Sequence, residues 1–150
     1  MTNNVDAESN EFRFECTTCG QCCYGDEDAY IEVSHAESDD IREHLNISAS
    51  EFNNRFLVRF TDGSMGIRIL DSGRCSLLDE DMRCCVYAVR PVQCRTYPFW
   101  PELVQNSRRW HREARRCEGI GSGPLVPERY IKEQVTLCKL QQARLKKEQN

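Results

Sequence analysis

Serine followed three residues later by glutamate is typical of a helix start, and the chain carries this pattern at Ser34 and again at Ser48. Behind each serine, apolar side chains recur at the spacing that places them on one side of a helix. These residues are Ile41 and Leu45 after the first serine, and Phe52, Phe56 and Leu57 after the second. A third helix is predicted after Pro127, whose fixed φ suits a first helical position. Its apolar residues are Tyr130, Ile131, Val135 and Cys138.

Strands are predicted where apolar and polar residues alternate over short stretches. These stretches are residues 12–15, 30–33 and 65–70, and a turn at Thr61-Asp62-Gly63 precedes the last of them. Short strands together with several short helices predict an α+β fold, a small and irregular single domain. The glycines at positions 119, 121 and 123 lack a strand-turn-helix context, so we expect a flexible loop there rather than a nucleotide-binding one.

The 150 residues suit one domain, which we place at residues 12–145. Residues 1–11 are polar and acidic and predict a disordered tail, and residues 146–150 predict a frayed end. Hydrophobic residues make up 39% of the chain, the mean hydropathy is −0.65, and no apolar run is long enough for a membrane span. The first residues lack the features of a signal peptide, so we expect a cytoplasmic protein.

Charge is distributed unevenly along the chain, although its net value is only −4. Residues 1–50 carry twelve acidic and two basic residues, whereas residues 51–150 carry twelve acidic and eighteen basic ones. The basic excess is densest from Arg108 to Arg116. We interpret this stretch as a solvated face that complements the acidic half of the chain. A nucleic acid partner is therefore disfavoured, and a protein partner stays open.

Cysteine gives the strongest functional signal in the sequence. Four of the ten cysteines lie within eight residues, in the run C-T-T-C-G-Q-C-C that begins at Cys16. Thiolates at this spacing converge on one metal ion or cluster, because each two-residue spacer folds the backbone around a shared point. In a reducing compartment, such cysteines favour metal ligation over disulfide formation. The run therefore predicts a metal site.

More cysteines lie in the middle of the chain, where two local features position them. A tight turn predicted at Asp79–Met82 brings Cys75 and Cys84 together. Pro91 begins a short predicted helix that carries Cys94. We therefore expect this region to supply further ligands.

Three sequence blocks occur in order, F-E-C-T-T-C-G-Q-C-C, C-S-L-L-D-E-D-M-R-C and Y-A-V-R-P-V-Q-C-R-T-Y-P-F. In these blocks the chain resembles the CxxCxxCC family, the YkgJ-like cysteine-cluster proteins described as zinc- or iron-chelating domains, over residues 12–118. Flagellin lysine N-methylases contain a related domain. The resemblance sets Cys85 and Cys138 aside and implies eight metal ligands. These are Cys16, Cys19, Cys22, Cys23, Cys75, Cys84, Cys94 and Cys117.

The division of these ligands depends on the conformation of the first run. In an extended segment, Cys22 and Cys23 would face opposite sides and serve different metal sites. The expected groups are Cys16, Cys19 and Cys22 on one side, and Cys23, Cys84 and Cys94 on the other. Arg90, which is close in sequence to Cys94, either places a guanidinium beside these sulfurs or pairs with an acidic neighbour.

Two metals and three functions stay open on this reasoning. Thiolates ligate zinc and iron–sulfur clusters alike, but one dense run with scattered single cysteines is closer to cluster ligation. A [4Fe–4S] cluster is therefore favoured over zinc. The three functions are a redox or accessory iron–sulfur protein, a zinc-stabilised protein interaction module and, by resemblance alone, a protein lysine N-methyltransferase.

Overall fold

A computed structural model describes residues 12–17, 19–25 and 30–149, so the predicted tail at residues 1–11 lies outside the described residues. In chain order, the described residues form β1 (Arg13–Phe14), a first 3₁₀ helix (Gln21–Cys23), β2 (Ile31–Glu32), α1 (His35–Leu45), α2 (Ala49–Arg55), β3 (Leu57–Arg59), β4 (Met65–Ile67), a second 3₁₀ helix (Tyr87–Val89), α3 (Val92–Thr96), α4 (Pro101–Val104), α5 (Ser107–Glu113), β5 (Ile120–Leu125) and α6 (Glu128–Gln149). The predicted α+β class is confirmed.

Both predicted serine caps are present at the first two α-helices. The Ser34 hydroxyl accepts a hydrogen bond from the Glu37 N–H, and the Glu37 carboxylate accepts one from the Ser34 N–H, which completes a capping box at α1. Ser48 accepts from the Glu51 N–H at α2, whereas the Glu51 carboxylate pairs with Arg55. The local sequence signals therefore fix where both helices begin.

A three-stranded antiparallel sheet has β4 at its centre, with β2 and β3 on either side. Ile67 of β4 pairs with Ile31 of β2 and with Leu57 of β3. The prediction that Leu57 belongs to the second helix is wrong, because α2 ends at Arg55 and β3 begins two residues later. The strand predicted at residues 65–70 is shorter than expected, since β4 ends at Ile67.

β1 and β5 form a separate two-stranded sheet, so the expectation of a flexible loop at residues 119–123 is wrong. The glycines there allow the two strands to approach closely. A Cβ atom at Gly119 would lie 2.2 Å from the carbonyl oxygen of Glu15, and one at Gly123 would lie 2.6 Å from the Glu15 Cβ. The Glu15 N–H also donates to the Gly119 carbonyl over 3.1 Å. Because these positions are glycine, β1 and the start of the cysteine run that follows it can pack directly against β5.

The apolar core has two parts. The first packs the three-stranded sheet against α1 and α2 around Ile41, Phe52 and Ile67, all of which are fully buried. The second is aromatic and includes Phe99 and Trp110, whose ring centroids lie 5.9 Å apart. Cysteines belong to both parts, because Cys23, Cys75, Cys84 and Cys94 pack with the first and Cys117 with the second.

The predicted C-terminal helix is present as α6, which follows Pro127 and extends through Gln149. It continues past residue 146, where we expect fraying to begin, and the Glu148 carboxylate accepts a hydrogen bond from the His35 N–H. The buried residues of α6 are Ile131, Gln134, Cys138, Gln141 and Leu145. Among the described residues, no helix combines the length and the apolar character needed to cross a membrane.

Candidate metal centre

The first cysteine run is folded into a turn. Gln21–Cys23 forms a 3₁₀ helix, and the Cys23 N–H donates to the carbonyl of Gly20, whose φ is +78°. The expectation that Cys22 and Cys23 face opposite sides is wrong, because successive residues point to opposite faces in a strand and not in a helical turn. The Cys23 thiol instead donates a hydrogen bond to the Cys22 sulfur, which lowers the pKa of Cys22.

Backbone hydrogen bonds join this turn to the middle of the chain. The Cys75 N–H donates to the Cys23 carbonyl over 2.7 Å, and the Gly25 N–H donates to the Gly73 carbonyl over the same distance. A Cβ atom at Gly73 would lie 2.7 Å from the Gly25 oxygen, so the close approach requires glycine. Cys23 and Cys75 therefore sit side by side although they are far apart in sequence.

The predicted turn at Asp79–Met82 is confirmed. The Met82 N–H donates to the Asp79 carbonyl over 3.1 Å, and the Asp79 carboxylate accepts from the Arg83 N–H over 2.9 Å. This turn closes a hairpin that carries a cysteine on each arm. Burial raises the pKa of Cys75 to about 11, and the charge of Cys84 adds to this rise. The predicted proximity of Cys75 and Cys84 is thus present in the fold.

Cys94 lies on α3, which begins after Pro91 as the sequence predicts. The Glu37 carboxylate anchors this helix, because it accepts from the Val92 N–H over 2.6 Å and also from the Gln141 side chain. Glu37 therefore ties α1, α3 and α6 together at the start of the helix that carries Cys94. Removing this carboxylate would leave three donors, the Ser34 and Val92 N–H groups and the Gln141 side chain, without their partner.

Four cysteine thiols raise one another's pKa values, and we call them the inner group. They are Cys23, Cys75, Cys84 and Cys94. Burial raises the pKa of Cys94, and the charges of Cys75, Cys84 and Cys22 raise it further. The pKa of Cys23 is raised as well. Its hydrogen bond with Cys22 has the largest effect, burial comes next, and the charges of Cys22, Cys75 and Cys94 raise the pKa further. Deprotonated thiols in this region repel one another, and a bound cation removes that repulsion.

Three further candidate cysteines, Cys16, Cys19 and Cys117, form what we call the outer group. Cys117 is buried, burial raises its pKa, and the charges of Cys19 and Cys22 contribute. Cys16 is exposed and follows Glu15, whose backbone is bonded to Gly119 beside Cys117. The charge of Cys22 raises the pKa of both Cys94 and Cys117, so Cys22 interacts with the inner and the outer group alike.

Two cysteines lie outside the ligand set that the resemblance implies, although the charge of one of them, Cys85, raises the pKa of Cys75 and Cys84. Cys85 is exposed at the end of the hairpin. Cys138 is buried on α6, and its thiol donates to the Thr96 hydroxyl over 3.3 Å. The hydrogen bond to Thr96 explains how Cys138 is accommodated in the core without a metal. Their exclusion from the ligand set stays a prediction.

The charges of two arginines, Arg90 and Arg116, favour the thiolate form of Cys22. Arg90 stacks on the Tyr87 ring, with 3.7 Å from its guanidinium carbon to the ring centroid, and its charge favours the thiolates of Cys22 and Cys84. In the fold Arg90 contacts Tyr87, whose carbonyl also accepts a hydrogen bond from the Arg90 Nε over 3.1 Å, so the placement of its guanidinium beside sulfur stays a prediction. Its positive charge lowers the cost of holding thiolates in a partly buried region.

The second arginine, Arg116, belongs to a network that sequence reasoning missed. Arg116 also favours the Cys22 thiolate, and its Nε lies 3.2 Å from the Glu113 carboxylate. The same carboxylate accepts from the Tyr97 hydroxyl, and burial followed by this hydrogen bond raises the pKa of Tyr97. The i, i+3 spacing of Glu113 and Arg116 is a weak sequence signal for the pair, whereas nothing local points to Tyr97.

A family model described as "CxxCxxCC: Putative zinc- or iron-chelating domain" matches residues 15–118. The chain belongs to the CxxCxxCC family. The resemblance drawn from the three cysteine blocks is therefore confirmed. The matched range includes all eight candidate cysteines, and Cys138 lies outside it.

The chain is also similar to the uncharacterized protein MJ0661 of Methanocaldococcus jannaschii. The two are 34% identical over 95 residues, which is 63% of this chain and 49% of that protein. The chain thus spans about half the length of this relative. No solved structure matches the chain.

The donor set of this CxxCxxCC domain fits zinc or iron, because thiolates are preferred ligands of both. Within residues 12–17, 19–25 and 30–149, however, no three Cys, His, Asp or Glu side chains are arranged to hold one ion as they stand. The backbone hydrogen bond from Cys75 to Cys23 nevertheless holds two of the donor-bearing segments side by side.

Proposed function

We propose that this CxxCxxCC domain binds a [4Fe–4S] cluster through its inner group and serves a redox or accessory role in the cytoplasm. The observation that carries the proposal is the backbone hydrogen bond that joins Cys75 to Cys23, and the charges of Cys75 and Cys84 that raise the pKa of Cys94 support it. Four thiolates are the usual ligand set of such a cluster. When bound, the cluster supplies one-electron chemistry.

Cys22 and the outer group give a second set of four thiols beside the first. Supporting this division, the charge of Cys19 raises the pKa of Cys117, whereas the charges of Cys75 and Cys84 raise that of Cys94, and the charge of Cys22 raises both. This is the division expected from the sequence, although the reason given there does not hold. The hydrogen bond between Cys22 and Cys23 makes the two sets adjacent, so all eight family cysteines act as ligands in the proposal.

The protein's own charges support thiolate ligation. Arg90 favours the thiolates of Cys22, Cys84 and Cys94, and Arg116 favours that of Cys22. Fixed positive charge and backbone N–H groups near the sulfurs raise the reduction potential of a cluster relative to one without them. Arg90 is thus proposed to tune the inner site.

A zinc-stabilised interaction module is the second candidate. The observation that favours it is that candidate cysteines pack against both of the small apolar cores. A metal ion bound between these cores would stabilise a chain that has little apolar surface to bury. Protein lysine N-methyl transfer, the third function considered, comes from the family resemblance alone. No contact in the described part of the chain bears on it.

Metal and acid-labile sulfide analysis of the full chain, purified without oxygen, tests the proposal. Iron and sulfide in near-equal amounts, together with broad visible absorbance, are the expected result. Zinc without sulfide would replace the cluster with the interaction module. A protein that contains neither metal, and takes up neither from solution, would contradict both candidates.

A further inference from the structure

Helix α5 and the turn after it separate apolar from charged side chains. Trp110 is 4% exposed and packs in the aromatic core, and Cys117 at the end of the turn is also buried. Four exposed arginines lie on the outward side, and we call this surface the arginine face. They are Arg108, Arg109, Arg112 and Arg115. Within the helix, Arg112 follows Arg108 at i, i+4 and Arg109 at i, i+3, so these side chains are neighbours on its surface.

The positive charge of the arginine face is not balanced by acidic groups within the described ranges. There, none of its four arginines takes part in an ion pair, and the ion pairs present are local ones such as Arg55 with Glu51. Our interpretation that this stretch complements the chain's own acidic half gains no support from these contacts. Like charges at i, i+4 destabilise a helix, so an arginine cluster of this kind costs stability where it is unpaired.

The arginine face lies next to the candidate metal centre. The turn after α5 is held by hydrogen bonds from the Arg116 and Cys117 N–H groups to the Glu113 carbonyl, both over 2.9 Å. Arg116 acts on the Cys22 sulfur, and Cys117 belongs to the outer group. The arginine face and Cys117 therefore belong to the same segment of the chain.

We propose that the arginine face is a docking surface for an acidic protein segment, one rich in Asp and Glu. Charge complementarity supports this occupant, because each guanidinium offers a fork of donors that matches a carboxylate. Nucleic acid is the weaker choice. The aromatic side chain of this stretch, Trp110, is buried and cannot stack on a base.

The test uses fluorescently labelled polyglutamate and a single-stranded oligonucleotide as probes, with the metal-loaded full chain and a low-salt buffer. The variant R108E/R109E/R112E reverses three charges on α5. The control variant K139E/R144E/K147E reverses three exposed charges on α6, so both variants have the same net charge. We expect the α5 variant to bind polyglutamate at least about tenfold more weakly than the unmodified chain, and the control to lose about threefold or less.

Equal losses in both variants would overturn the proposal, because binding would then follow net charge and not the arginine face. Tighter binding of the oligonucleotide than of polyglutamate, or no binding of polyglutamate at all, would overturn it as well. If circular dichroism shows that the α5 variant is unfolded, R108Q/R109Q/R112Q is used in its place. This variant removes the three charges without reversing them, so we expect a smaller loss of affinity for polyglutamate. Metal content is measured in parallel, since these three residues lie outside both cysteine groups and their substitution leaves metal binding unchanged.

Discussion

Replacing Cys94 with alanine is expected to abolish metal binding at the inner group, with affinity lowered by at least about 100-fold. Cys94 lies among Cys23, Cys75 and Cys84, and the bond from the Val92 N–H to Glu37 holds its helix in place. Three remaining thiolates cannot complete a four-thiolate site. Loss of a ligand lowers the metal affinity at least as much as loss of a hydrogen bond that orients a ligand. The measurement is iron or zinc per chain, with visible absorbance recorded on the same sample.

Cys138→Ala is the matched control, because Cys138 is also a buried cysteine on a helix. It loses the hydrogen bond to Thr96, which costs about 1 kcal/mol of unfolding free energy, and it keeps its metal. Equal metal content in the Cys94→Ala and Cys138→Ala proteins would contradict the assignment of the inner group.

Gly119→Ala is expected to separate β1 from β5 and to lower the free energy of unfolding by about 3 kcal/mol. The new methyl group would lie 2.2 Å from the backbone oxygen of Glu15, and a backbone atom cannot move aside as a flexible side chain can. The bond from the Glu15 N–H to Gly119 would be lost as well. Because Cys16 follows Glu15, metal binding by the outer group weakens with it. Urea unfolding and metal analysis measure the two effects.

Gly121→Ala provides the control for this substitution. A Cβ at Gly121 meets nothing within 4 Å, but its φ of +88° is strained for alanine, which costs about 1 kcal/mol. The two substitutions therefore separate a steric clash at Gly119, just before β5, from backbone strain at Gly121 within it. If Gly121→Ala were as destabilising as Gly119→Ala, the close approach of β1 would not be what requires glycine at position 119.

Local chemistry made several elements of this fold predictable from the sequence. The caps at Ser34 and Ser48 depend on side chains that bond within three residues, and the helix after Pro91 depends on the fixed φ of proline. The turn at Asp79–Met82 likewise satisfies its own backbone groups. In each case the residues that determine the structure are close together in the sequence.

The features that the sequence did not predict depend on distant partners. β5 is rich in glycine and therefore has low strand propensity. It forms because it pairs with β1, more than 100 residues earlier, and the residues around Glu15 approach it so closely that side chains at Gly119 and Gly123 would clash. The hydrogen bond between the thiols of Cys22 and Cys23 depends on the 3₁₀ helix that contains both residues. The spacing of the cysteines in the sequence is equally compatible with an extended segment, so it did not predict this helix. The contact of Tyr97 with Glu113 joins residues on different helical segments, so no local pattern indicates it.

Cysteine alkylation with and without metal is the measurement that tests the central claim, that the family cysteines together hold a metal. The full metal-loaded chain and the same chain treated with chelator are exposed to iodoacetamide, and each site is quantified by mass spectrometry. Cys22 and Cys85 are both exposed, so neither is protected by burial alone. We predict that Cys22 and Cys84 are protected only while metal is bound, because ligating thiolates do not react, whereas Cys85 is modified in both samples. Equal modification of Cys22 with and without metal would contradict the claim.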